Sequence, residues 1–269
     1  MRRAARFLWA MLPLSAALPA RAQETEPPKT VTVDGEVRFL SDYRTRGISR
    51  SDTEPSAQLS ISATHNPSGL YAGLLATRVA GFGGSGGAPV ETQLYAGIRR
   101  PFAQGTVDAG LTWYLYPGGA GGSDFVEFTG SYANTIGPAT ITASVAYAPP
   151  QRSLGTVGPQ GLRRRDALYA AADAEVGIPG KPVSLIGHVG HARGAAGLGP
   201  NGFALTPTGA YWDWSLGARL TRRRLSLTLL YVDTDITGVE VAPRLPGFSS
   251  GGRGRLSGAT GTVMLGWRF

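Results

Sequence analysis

The residues of this chain whose types and spacing could do chemistry are few, and His188 and His191 in the run HVGH come first. A metal needs both imidazoles on one side of the backbone, but on a strand residues three apart point to opposite faces. The pair cannot share an ion. A lipid-cleaving site needs a Ser hydroxyl beside a His that is held by an orienting polar group. His191 is the one candidate base, yet Ala192 and Arg193 follow it and its strand offers no Ser alongside. GLGPNG (197–202) matches the dinucleotide fingerprint by letter, but Pro200 lies inside the helix that would have to open there and no βαβ unit surrounds it. GGSGG (83–87) matches the serine-hydrolase elbow by letter and reads as a flexible glycine tract. The chain has no cysteine, so thiolate chemistry, disulfides and sulfur-ligated metals drop out together. No catalytic residue, metal ligand or cofactor site is expected.

What remains is a set of charges of both signs at alternating positions: Glu36, Arg38, Arg78, Glu91, Arg99, Asp108, Glu127, Asp173, Glu175, Asp213, Arg219 and Arg268. Their meaning depends on the elements that carry them. Short runs of period-two alternation recur at about 34–44, 55–64, 69–79, 90–100, 105–116, 124–132, 137–147, 166–177, 182–192, 209–220, 225–234 and 258–269. In the second run Ala57, Leu59, Ile61 and Ala63 alternate with Gln58, Ser60, Ser62 and Thr64. In the fifth, Val107, Ala109, Leu111, Trp113 and Leu115 alternate with Asp108, Gly110, Thr112, Tyr114 and Tyr116. The seventh sets Ile141, Ala143, Val145 and Tyr147 against Thr140, Thr142 and Ser144. With 39 glycines in 269 residues and 16% charge, turns and strands rather than helices or disorder are expected.

The connections alternate strictly between long and short: SRSDTE, NPS, GFGGSGGAP, PFAQ, GGAGGS, NTIG, PPQRSLGTVGPQGLRRR, PGK, GAAGLGPNGFALTP, TRRR and ITGVEVAPRLPGFSSGGRGR. A soluble sheet has no reason to sort its loops by parity, whereas an antiparallel barrel crossing an outer membrane has short periplasmic turns and longer external loops. The fold class expected is therefore all-β, a transmembrane antiparallel β-barrel of about twelve strands over 34–269, with apolar side chains outward and polar ones inward. A small soluble barrel would reverse those faces.

The start of the chain agrees. MRRAARF is basic, FLWAMLPLSAAL is apolar and short, and ARA before Gln23 is a small-x-small cleavage site, so 1–22 reads as a signal peptide and 23–33 as a periplasmic segment. Loss of Arg2, Arg3, Arg6 and Arg21 takes the formal charge from +8 to about +4, too little for a nucleic-acid binder. The RRR runs at 163–165 and 222–224 read as solvated loop or turn charge, with anionic lipid head groups as the alternative partner. Tyr43, Trp113, Tyr147, Tyr169, Trp212, Trp214 and Tyr231 fall near one end of the strands and Tyr71, Phe102, Tyr132, Trp267 and Phe269 near the other, as two interfacial girdles would. The last run ends on Phe269, and a closed barrel needs that strand to pair with the first.

At SDYRTRGISRSD (41–52) the chain resembles the TorF-family porins, a conserved hypothetical family of proteobacterial outer-membrane proteins. The likeness continues through GLYAG (69–73), ETQLYAGI (91–98), TVDAGLTWYLYPG (106–118), FVEFTGSYA (125–133), HVGH, WDWSLGARL (212–220) and LLYVDTD (229–235), with Thr45 a departure before Arg46. The resemblance implies an outer-membrane barrel whose terminal strand is read by the assembly machinery; it brings no solute and no catalytic residue. The expected function is a porin-like channel passing small hydrophilic solutes or ions, embedded in outer-membrane lipid and lipopolysaccharide of a Gram-negative bacterium. A structural or adhesive barrel, and more remotely a lipid hydrolase, are the alternatives. The inward charges either cross-link the wall or select solutes, and Arg99 with Asp108, and Arg268 with Glu36, are neighbours suited to cross-linking.

Overall fold

The computed structural model describes residues 29–80, 88–119, 121–196, 205–236 and 256–269. The segment 1–22 and both glycine motifs lie outside the described residues. Twelve strands form one closed antiparallel barrel, and two short strands form a separate hairpin within the first long connection. In chain order they are β1 Val31–Leu40, β2 Arg44–Thr45, β3 Ile48–Ser49, β4 Ser56–His65, β5 Leu70–Arg78, β6 Val90–Phe102, β7 Gly105–Leu115, β8 Phe125–Ile136, β9 Ala139–Gly158, β10 Gly161–Gly177, β11 Val183–Gly194, β12 Ala210–Arg222, β13 Leu225–Thr234 and β14 Thr260–Arg268. The barrel begins at Val31, three residues before the sequence reading placed it, because Val31 already pairs with His65.

Every wall strand obeys the pleat. Leu59, Ile61, Leu94, Ile98, Leu111, Phe128, Ile141, Val145, Leu185, Val189, Leu216, Leu229, Val263 and Leu265 are exposed on the outer surface, while the intervening hydroxyls, amides and charges face inward. So continuous an apolar exterior is far beyond the patches a soluble monomer shows. Closure is made between β1 and β14, where Glu36 lies opposite Arg268 and Val37 opposite Trp267. Phe269 N donates to Gly35 O at 3.0 Å, and its ring lies where a Cβ on Gly35 would stand. Glycine is required there by close approach.

The connection expected as a long loop at 149–165 is instead a continuation of the wall. β9 and β10 run on to a two-residue turn at 159–160. The two adjacent prolines, Pro149 and Pro150, concealed this, since neither can donate to a ladder. They fall where β9 has left β8 and where the β9–β10 register shifts, so no ladder donor is missed. Gln151 restores the lost pairing with its side chain: Val126 N donates to its Oε1 at 2.7 Å and its Nε2 donates to Val126 O at 2.8 Å. Arg163, Arg164 and Arg165 are thus exposed strand residues rather than loop charge.

Candidate functional site

The inner face of the barrel encloses a cavity of about 410 Å³, lined by wall hydroxyls and charges and roofed by residues 42–47. The roof is the main departure from the sequence reading. The connection 41–55, which takes in the end of the first expected strand and the external loop SRSDTE (49–54), turns into the barrel, burying Tyr43, Arg46, Ile48, Ser49, Arg50 and Ser51. Asp42 organises it: Ser49 Oγ donates to Oδ1 at 2.6 Å, and Arg44 Nε to Oδ2 at 2.6 Å, across the β2–β3 hairpin.

Two arginines then reach the wall. Arg46 Nη2 donates to both Glu127 oxygens, at 2.8 and 2.9 Å, on a strand five places around the barrel from β1. Its guanidinium stands 4.4 Å over the Tyr169 ring, and Tyr211 donates to its carbonyl at 3.1 Å. Burial works against the Arg46 charge, but the Glu127 carboxylate and its hydrogen bonds, with Tyr114 and Tyr169, together hold the pKa above its ordinary value. Arg50 Nη2 donates to Tyr116 Oη at 2.8 Å and to Glu91 Oε2 at 3.4 Å. Glu91 also receives Tyr43, Tyr116 and Gln93, at 3.0, 2.7 and 2.8 Å. Burial, and then the Glu91 charge, push the Tyr43 phenol above its ordinary value, which keeps it a donor. Breaking one such buried pair by removing a partner costs about 3–5 kcal/mol.

Ile48 joins an apolar cluster with Tyr169, Ala192, Tyr211, Ile236 and Leu256, and a second cluster gathers Tyr116, Phe125, Ala148, Leu154, Ala167 and Leu205. The long-loop half of the lumen is therefore packed, and the other half is polar.

The remaining inward charges pair along the wall. Arg99 lies directly opposite Asp108 rather than diagonally, with Nη2 2.8 Å from Oδ2. Arg38 Nη2 is 2.6 Å and Arg268 Nε 3.8 Å from Glu36, while Arg219 Nη1 is 3.1 Å from Glu175. His188 lies between Asp173 at 2.7 Å and Asp213 at 3.0 Å, with Tyr169 Oη 2.9 Å from its Nε2. His191 is on the opposite face, its ring 4.6 Å from that of Trp212.

Two placements made from the sequence are corrected. Arg78 shares its parity with Ala72, Leu74 and Ala76, so it faces outward and donates to Pro55 O; Thr77 takes the inward position. Tyr43, Tyr71 and Tyr169 are buried inside rather than set in girdles, since Tyr169 shares a face with Asp173, and Tyr71 with Leu75. Trp113, Trp212, Trp214, Trp267 and Phe269 are exposed on the outer surface, the first three toward the long loops and the last two toward the short turns. The inward fold of 41–55 had one signal in the sequence, Ile48 set among three arginines and several hydroxyls, which no solvent-facing loop requires.

A closed barrel with an apolar outer face and charges and hydroxyls on its inner wall defines the class: this is the transmembrane fold of outer-membrane barrels. Residues 22–244 match the model of the family described as "Bacterial protein of unknown function (Gcw_chp)", and the chain belongs to that family. Among solved structures it is similar to the COG4313 outer membrane channel from Pseudomonas putida F1, with TM-score 0.50 and 11% identity over 91% of this chain and 99% of that one. The outer membrane channel DcaP of Acinetobacter baumannii gives TM-score 0.43 and 11% identity over 89% and 97%. The first likeness bears on fold alone. No curated protein matches this sequence.

Proposed function

We propose that this protein is a porin-like channel of the Gram-negative outer membrane, passing small hydrophilic solutes or ions, with the short turns periplasmic and the long connections external. The single observation behind this reading is a cavity of about 410 Å³, with charged and hydroxyl side chains in its lining, inside a barrel whose outer face is apolar all round. Eight strands leave an interior that side chains can fill and sixteen to eighteen leave a wide channel, so twelve suit a narrow path. The resemblance to TorF-family porins supports the same reading, as do the girdle positions of Trp113, Trp212, Trp214, Trp267 and Phe269, which would sit among lipid and lipopolysaccharide head groups. The terminal strand would be the segment engaged by the assembly machinery. Because the wall charges are largely paired, current steps should be small and weakly selective. The test is current through the purified mature protein in a planar bilayer under a salt gradient. Absence of steps across many clean insertions would overturn the channel and favour a structural or adhesive barrel.

A further inference from the structure

The inward charges divide by the origin of their partners. Wall arginines meet wall carboxylates: Arg38 and Arg268 meet Glu36, Arg99 meets Asp108, and Arg219 meets Glu175. Asp173 and Asp213 share His188. Among the described residues, Glu127 and Glu91 take their ion-pair partners from the inward segment 41–55 instead, as Arg46 and Arg50. Withdrawing that segment would leave two uncompensated carboxylates on the lumen wall, while Arg44 would leave with its own partner, Asp42.

The segment is also held against local cost. Arg46, Asp52 and Thr53 have φ of 52°, 58° and 64°, a region that is unusual for any residue with a Cβ and an outlier for β-branched Thr. Such strain persists where surrounding contacts impose it. Arg46 Nε is buried without a hydrogen-bond partner. Withdrawal of the segment would relieve that strain.

We propose that residues 41–55 form a gate latched by Arg46 on Glu127 and Arg50 on Glu91, and that the released gate uncovers Glu91 and Glu127 as a cation-selecting pair. The proposal rests on the channel reading. The carboxylate half of its test uses isosteric changes, so that no hole is made there by deleting atoms. Glu91→Gln with Glu127→Gln breaks both latches, and should raise conductance with no gain in cation preference, because the carboxylates that the withdrawn gate uncovers are neutralised. Arg46→Ala with Arg50→Ala should also raise conductance but move the reversal potential in KCl toward cations, and the fourfold variant should conduct well without that preference. A cation shift from one end of the latch and none from the other cannot come from a general loss of folding, and heat-modifiable mobility checks each variant before recording. In the cysteine-free chain, Ser131→Cys on the cavity wall reports the gate directly. A membrane-impermeant thiol reagent applied to intact cells should modify it faster in the double Gln variant. Steps of unchanged size and selectivity, or an unchanged modification rate, would overturn the gate and leave the channel standing. No steps from any form would overturn the channel, and the gate's role in permeation with it.

Discussion

Arg99 and Asp108 face each other across the β6–β7 ladder, with the guanidinium on Oδ2 while Tyr71 donates to Oδ1 at 2.6 Å. One carboxylate thus satisfies a cation and a phenol, and the guanidinium lies 5.0 Å over the same phenol ring. Arg99→Ala should leave Asp108 anchored by Tyr71 but uncompensated in the lumen. The reversal potential under a salt gradient should then shift toward cations, and the Arg99→Ala, Asp108→Ala pair should largely cancel that shift. Stability should fall by about 1–3 kcal/mol in the single variant, the worth of a charge-assisted hydrogen bond. An unchanged reversal potential would remove this pair from the conduction path.

That pairing was legible because both residues sit at inward positions beside a short turn, where local chemistry fixes register. The twelve wall strands were legible for a related reason: Leu59 and Ile61 alternate with Gln58, Ser60 and Ser62, and a single period decides both element and face. Reading failed where local signals conflict or partners are remote. Pro149 and Pro150 read as a break because ladder donation is a local rule, whereas Gln151 repairs the ladder through a strand twenty-five residues away. Arg78 and Tyr169 were misassigned by residue type where parity gives the opposite face. The contacts of Arg50 with Glu91 and Arg46 with Glu127 span 41 and 81 residues, and exist only once the barrel has closed around the segment.

Closure itself can be tested through Gly35 and Phe269, which share one space on the outer face. Deleting Phe269, or changing Trp267 and Phe269 to Ser, should reduce membrane-inserted protein with little effect on export. Gly35→Val should reduce insertion too, by displacing the ring. Adding Phe269→Ala to Gly35→Val should recover part of the loss, because the clash is then gone. Equal yield and equal heat-modifiable mobility in all four forms would show that this contact does not contribute to closure.

The orientation proposed from loop parity can be read by labelling, since the chain carries no native thiol. Gln160→Cys, in the turn ending the β9–β10 hairpin, should react with an impermeant maleimide on intact cells. Ala103→Cys and Gly180→Cys, in the short turns, should react only after the outer membrane is permeabilised. The mature protein should begin at Gln23 and give a β-rich circular dichroism spectrum. The reverse labelling pattern would invert the orientation, and a helical spectrum would contradict the barrel.

Gly190 offers the sharpest test of lumen packing. On β11 it faces inward, and a Cβ there would overlap the Tyr169 phenol, which lies across it to reach Asp213 Oδ2 at 2.9 Å and His188 Nε2 at 2.9 Å. The same ring is covered by Arg46, so its position supports the Arg46–Glu127 contact above it. Tyr169→Phe keeps the ring and loses only its hydroxyl bonds, including the one to the Asp213 carboxylate, a cost of about 1.5–3 kcal/mol. Gly190→Val forces the ring to move and should cost about 1–3 kcal/mol through overpacking, with loss of the hydroxyl bonds in addition. In a Tyr169→Ala background the space is already vacant, so Gly190→Val should cost much less there, giving a favourable coupling between the two changes. Denaturant unfolding of the detergent-purified variants measures each corner of that cycle. Strict additivity would mean that Tyr169 does not depend on Gly190 for its place, and that the barrel wall holds Asp213 and His188 without it.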